Sequence, residues 1–440
     1  SDDPRSAVQR LFQWFIDPDS FDADPLEEFV YFIATVPAHA KRQMLVRQGG
    51  ALRTQFERLD TPREIVADTV ISNMQMAVEG DDKRGYRIRV QPAGAQPRTA
   101  FVALLNGRYR LLGLGQNLTG VGVEALRSLE SGHTAAARQW LDWAREDMDR
   151  PGGDDPFAWP VFPKLWTRGD PEDRSKMRLA ALSLLADSDL IGPYFGELKE
   201  AEERASGEEK TLIRVMFLDA CRALDRWADL KQIAWQALQE RPTSDFAFKA
   251  VTDSAARTGD WEMWEKAVEL RLEKLPDDQV ALSSKANMFD YQGKPSEGRA
   301  ILKKLIDSGR ATAMDMNGYG WNALFIGKVE DADIEIVQRA SDITRNANYA
   351  IIHTLACLYA EVGRTKEAHE LLLYAIAAGG LDEPDSPDWY ALGRLAEQYG
   401  EREAALTAYG RVVEREEEKR LATSTWNLAQ RRMRALAGVR

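Results

Sequence analysis

Cysteine and histidine are scarce in this chain, which has two of the first and four of the second. Two thiols cannot build a disulfide framework or a four-thiolate zinc site, and four imidazoles leave little room for a histidine-rich metal centre. No metal and no cofactor is expected. No run of about 18 apolar residues occurs, so no membrane-spanning helix and no membrane insertion are expected. Glycine and proline, at 31 and 18, are ordinary, which excludes collagen-like and proline-rich classes. Positive charge is in deficit. The net charge of -12 opposes binding to nucleic acid or an anionic membrane surface. The first residues, SDDPRSAVQRLFQWF, lack a basic start followed by a long apolar run, so no signal peptide is expected. The absent initiator Met fits a processed or trimmed chain. Cys221 and Cys357 lie in apolar, helix-like surroundings and read as buried thiols, which fits a reducing, cytoplasmic compartment. An exported form after signal removal is the alternative.

Catalytic motifs are missing as well. There is no Gly-x-Ser-x-Gly elbow and no Walker loop. His369-Glu370 lacks the second His that a zinc protease needs four positions on. Gly113 to Gly120 follows a strand and precedes a helix, but lacks the third glycine of a dinucleotide loop and reads as a connection. Asn117-Leu118-Thr119 matches a glycosylation sequon, relevant only in a eukaryotic secretory setting.

What is present is 440 residues with 44 % hydrophobic and 29 % charged side chains, enough for two or three domains or one long repeat array. Residues 1–118 read as an α+β domain. Val8, Leu11, Phe12, Phe15 and Ile16 share one helical face, and Pro25 to Val46 continues in that style with a break at Pro37. Thr61-Pro62-Arg63-Glu64 opens a further helix. The period then changes to two. Met74, Met76 and Val78 suggest a first strand, Gly85 to Val90 a second, and Thr99–Leu105 and Arg108–Leu112 a hairpin turned by Asn106-Gly107. From 119 onward the pattern is helix, short turn, helix. A Pro/Trp-rich insert at 151–173 is expected to lie over the core as an ordered loop.

Self-similarity is the most informative feature. Gly259, Gly293 and Gly327 are spaced by 34 residues, and Gly363 and Gly400 follow after 36 and 37. Each follows a helical run where a left-handed turn residue is needed. Pro242 and Pro276, also 34 apart, end the second helix of their units. Two copies read Ile352, Leu355, Ala356, Tyr359, Gly363, Ala368, Leu372, Ala375 and Trp389, Leu392, Gly393, Ala396, Gly400, Ala405, Tyr409, Val412. Earlier copies are looser, with Trp264 and Gly298 at the close-contact position and Asp225 in place of the turn glycine.

This pattern resembles the tetratricopeptide repeat, over 211–418 and, in degenerate form, over 119–210. The resemblance implies a mainly α fold, a right-handed α-solenoid of helix pairs after the small α+β domain, closed by a capping helix at 419–440. That last segment carries Arg431, Arg432, Arg434 and Arg440 and reads as a solvated cap. In the family, the first helix of each pair lines a concave groove. Carried over, the groove positions are Phe246, Lys249, Asp253 and Arg257; Ser283, Asn287, Asp290 and Tyr291; Asn317, Trp321, Leu324 and Phe325; His353 and Glu361; Tyr390, Arg394 and Gln398. The residues expected to bind a partner are Lys249, Asp253, Asn287, Tyr291, Asn317, Trp321, His353, Tyr390 and Arg394. Some members hold a C-terminal carboxylate in a Lys/Asn clamp. Here Lys249 fits, but Asp253 replaces Asn, and Ser284, Met314 and Gly318 occupy the other positions. No such clamp is expected.

The resemblance and the missing catalytic motifs together imply a non-enzymatic scaffold that binds a protein or peptide segment, with the N-terminal domain supplying a second contact or a homodimer surface. An alternative gives the α+β domain a small-molecule pocket, with Tyr86, Arg87, Arg108 and Tyr109 as first suspects. A third makes the chain the interaction half of a larger enzyme.

Overall fold

The structure, a computed structural model, describes residues 3–17, 61–91, 97–115, 117–148, 161–166, 173–378 and 384–438. The expected helical stretch at 25–46, most of the insert at 151–173 and Arg440 lie outside them. The chain divides into two compact units, residues 1–230 and 231–440.

The first unit opens with α1 (Arg5–Ile16) and α2 (Arg63–Ser72). Four strands follow: β1 (Gln75–Asp81), β2 (Gly85–Gln91), β3 (Arg98–Leu105) and β4 (Arg108–Leu114). They form an antiparallel meander in the order β1-β2-β3-β4. The β3–β4 turn is the expected one, with Asn106 at φ 53° and Gly107 at φ 75°. The apolar face of α1 meets one side of the sheet, where Val8, Leu11 and Phe12 pack with Ile88, Val90, Ala100, Val102 and Leu111.

The other side of the sheet is covered too. Helices α3 (Thr119–Glu130) and α4 (Thr134–Met148) pack as a pair. Trp140 of α4 lies edge-on to Phe101, ring centroids 6.5 Å apart, and a Cβ on Gly85 would collide with its indole. Burial on both faces explains why β3 is a continuous apolar run rather than an alternating one. The boundary expected at 118 therefore falls inside a packed unit. Of the insert, α5 (Val161–Leu165) is described, with Val161, Phe162 and Trp166 buried and Trp166 Nε1 donating to Asp142 at 3.0 Å. Then come α6 (Arg174–Ser183), a 3₁₀ turn, α7 (Phe195–Arg204), α8 (Gly207–Ala223) and α9 (Trp227–Glu240), the last crossing into the second unit. Asp225, standing in for the turn glycine, takes φ 52°.

Five helix pairs follow among the described residues: α10 (Asp245–Thr258) with α11 (Trp261–Lys274), α12 (Gln279–Tyr291) with α13 (Pro295–Asp307), α14 (Ala313–Ile326) with α15 (Asp331–Ile343), α16 (Tyr349–Glu361) with α17 (Thr365–Ala378), and α18 (Ser386–Gln398) with α19 (Arg402–Gly410). A last helix, α20 (Thr425–Ala437), ends the unit. Side-chain caps set the helix starts, as at Ser244, Asp260, Asp278, Thr312, Asn348 and Asp385. The five periodic glycines all lie at φ between 70° and 79°, so the 34-residue spacing is a spacing of left-handed turns.

The small residues sit where helices touch. Ala356, Ala368 and Ala405 are at most 1 % exposed. A Cβ on Gly393 would stand 2.5 Å from the ring of Tyr409, whose hydroxyl is held by Glu397 at 2.7 Å. That ring cannot retreat, so Gly393→Val should overpack the α18–α19 contact. The expected loss is about 1–3 kcal/mol, read by urea unfolding, while Gly410→Ala, with open space around it, should cost far less.

Candidate functional site

The first helices of three successive pairs, α10, α12 and α14, enclose a groove of about 630 Å³. Lys249, Thr252 and Asp253 come from α10; Ser283, Asn287, Asp290 and Tyr291 from α12; Met314, Asn317 and Gly318 from α14. Phe248, Trp264, Ala286 and Leu302 also line it. Trp264 is the exception to the small-residue rule. Its ring is 2 % exposed, its Nε1 donates to Ser284 Oγ at 2.8 Å, and it lies 5.6 Å from the ring of Tyr291. A bulky residue at a close-contact position thus builds an aromatic wall.

The polar side chains of the groove differ in how far the protein satisfies them. Asp245 at one edge accepts from Arg271 at 2.5 Å, and Asp315 caps α14 through Thr312. Asp290 has a neutral partner, Asn322, whose Nδ2 donates to it at 2.8 Å. Gly298 makes room for that contact, since a Cβ there would meet Asp290 Oδ1 at 3.1 Å. Burial without a counter-charge pushes the Asp290 carboxyl up to about 7, against the hydrogen bond from Asn322. Asn317 is 9 % exposed and its Oδ1 receives no donor; Ser283 Oγ and Asn322 Oδ1 are buried and unpartnered as well.

The structure therefore brings Lys249, Asp253, Asn287, Tyr291 and Asn317 together. It places Trp321, His353, Tyr390 and Arg394 elsewhere, as packed parts of the fold. Trp321 Nε1 donates to Thr423 O at 2.9 Å. His353 is buried, stacks on Tyr349 and sits 2.9 Å from Pro387 O, and burial lowers its pKa. Tyr390 is 2 % exposed. Arg394 is buried and ion-paired with Glu361 at 2.7 Å and Glu397 at 2.5 Å.

For Trp321 and Tyr390 the physical reason is the C-terminal segment, while His353 and Arg394 are held by neighbouring helices. That segment packs on α18 and α19 with Leu428 and Ala429 in the same core as Tyr390 and Tyr409, as a cap should. It also reaches back across earlier pairs. Arg431 Nη1 donates to Phe325 O at 2.9 Å, and Arg432 pairs with Glu397. Cβ atoms at Gly293 and Gly259 would meet Ala422 at 3.3 Å and Arg420 at 3.0 Å. Arg431 is exposed, as a solvated cap implies, and also donates within the chain, while Arg432 is half-buried in its pair with Glu397. Burial works against the charge of Glu397, but hydrogen bonds from Arg432 and Tyr409 hold its carboxyl below the ordinary value. Thr252 and Trp264 were not expected at the groove; their only signal is a position one turn away from an expected one, or on a second helix.

The alternative suspects on the sheet have structural partners. Arg87 is buried against Glu79 and Glu146, each at 2.6 Å, with its guanidinium over Trp143. Tyr86 and Tyr109 both donate to Asp82, at 2.6 and 2.9 Å. Arg108 is exposed beside the hairpin turn. Among the described residues, no group of three or more His, Cys, Asp or Glu is arranged to hold a metal ion, and no helix is long and apolar enough to cross a membrane.

Two outcomes follow from these contacts. The fold binds a proton on Asp290 more tightly than the unfolded chain does, because the folded pKa of about 7 lies above the ordinary 3.8. Its contribution is thus fully present below pH 4 and falls as pH rises through 7. Asp290→Asn should match the parent in stability near pH 4 and exceed it by about 4 kcal/mol at pH 8, in parallel thermal melts. Arg432→Met should cost about 1–3 kcal/mol in urea unfolding at pH 7, and less as pH falls far enough to protonate Glu397 in the folded chain.

No family model matches the chain, and no curated protein matches it. Among solved structures, it is similar to a tetratricopeptide repeat protein from Parabacteroides merdae, at 14 % identity and a TM-score of 0.34, covering 72 % of this chain and 100 % of that one. It is also similar to the APC/C hetero-tetramer Cut9-Hcn1, at 14 % identity and a TM-score of 0.37, covering 72 % of this chain and 64 % of that one. The chain thus spans less than two thirds of the latter protein's length. On its own helix pairs, left-handed turns and small-residue contacts, the second unit has a tetratricopeptide-like fold.

Proposed function

We propose that this chain is a non-enzymatic interaction scaffold that holds a segment of a protein partner in the groove between α10, α12 and α14. One observation carries the reading. Side chains from three consecutive first helices converge on an open groove, while the Trp321 and Phe325 end of α14 is held by the chain's own C-terminal segment. An opening lined by three helices, part aromatic and part polar, suits an extended or helical segment. The net charge of -12 favours a protein partner over nucleic acid.

A photo-reactive benzophenone side chain placed at the exposed Asn287, or at the exposed Glu335 on α15 as control, tests the reading in cells. A discrete adduct is expected from position 287 that disappears when Ser283→Trp fills the groove, with no such adduct from 335. The same adducts from both positions, or none from 287, would sink the proposal.

A further inference from the structure

The groove is unevenly furnished. Its uncompensated groups include buried acceptors. Asp290 is half-buried, has no ion-pair partner among the described residues, and is matched by a neutral amide alone. The Asn317 amide, nine-tenths buried, makes no hydrogen bond within the protein, and Ser283 Oγ is buried without a partner. Asp253 on the facing helix lines the groove but has a partner of its own, and Lys249 is exposed at the rim. The walls behind them include the rings of Tyr291 and Trp264. A carboxylate backed by an aromatic face favours a cation, since the ring stabilises positive charge and the buried acceptors need N–H donors. A buried carboxylate without a counter-charge is costly, and a bound cation removes that cost.

Resting on the groove reading above, we infer that the pocket between α10, α12 and α14 receives a basic side chain, lysine or arginine, from an extended segment of a protein partner. Its N–H groups are taken by Asp290 and the Asn317 side-chain carbonyl, and its apolar stem lies along Tyr291. The selectivity is for a single seated cation rather than for general basicity, because Asn317 and Ser283 contribute shape and acceptors but no charge.

The test uses the full chain and a fluorescein-labelled peptide of alternating arginine and alanine, followed by anisotropy at pH 8, with the glutamate counterpart, free arginine amide and spermidine as competitors. Saturable binding of the arginine peptide is expected, displaced by the unlabelled peptide and not by the small cations at equal charge. Asp290→Asn and Asn317→Ala should each weaken it at least fivefold, and Glu335→Gln on the outer face less than twofold. Asn317→Ala is decisive because it leaves the net charge unchanged; Ser283→Ala repeats the test should that variant fold poorly. No saturable binding, displacement by spermidine at equal charge, or a loss under fivefold in the neutral variant would overturn the inference. A persisting adduct from position 287 alongside absent arginine binding would sink this inference alone and leave the groove reading standing.

Discussion

No helix pair in this protein can bury its own apolar face, and the second unit exists because each pair is covered by the next. That constraint dictates the small residues. Ala356, Ala368, Gly393 and Ala405 let antiparallel helices approach until rings such as Tyr390 and Tyr409 fill the space that remains. It also dictates the left-handed glycines, since a helix that must reverse within a few residues needs a turn residue without a Cβ penalty.

Buried arginines hold the pairs in register. Arg271 binds Asp278 at 2.7 Å and Asp245 at 2.5 Å, linking α11 to the starts of α10 and α12. Arg299 of α13 binds Asp333 at the start of α15 and donates to Tyr319 O at 2.7 Å. Arg394 of α18 binds Glu361 at the end of α16. Such pairs add little net stability over apolar packing, but removing one partner strands a buried charge at a cost of about 3–5 kcal/mol. They therefore penalise slipped packing more than they strengthen the correct one.

The end of the array has a different solution. Its last pair would expose the face bearing Tyr390 and Leu395, and α20 covers it with Leu428 and Ala429. The segment before α20 continues over α14, where Trp321 and Phe325 give up their availability to hydrogen bonds with Thr423 and Arg431. The same segment passes Gly259 and Gly293 at the ends of α10 and α12, so it borders the helices that line the groove.

The helix pairs, their turns, the hairpin at Asn106-Gly107 and the shared face of five groove-lining residues were legible in the residues alone, because each depends on local rules: a 34-residue period, a φ only glycine tolerates, a small residue at a facing position. Lys249, Asp253, Asn287, Tyr291 and Asn317 could be placed on one face by helical spacing. Trp321, His353, Tyr390 and Arg394 occupy equivalent positions by the same spacing, and nothing local distinguishes them. Their fate was decided by contacts more than about 30 residues away in sequence, such as Thr423 on Trp321 and Pro387 on His353. The same holds for Trp140, which binds the sheet to helices that composition assigns elsewhere. Spacing along a helix determines which side chains share a face; which face meets solvent depends on what the rest of the chain packs against it.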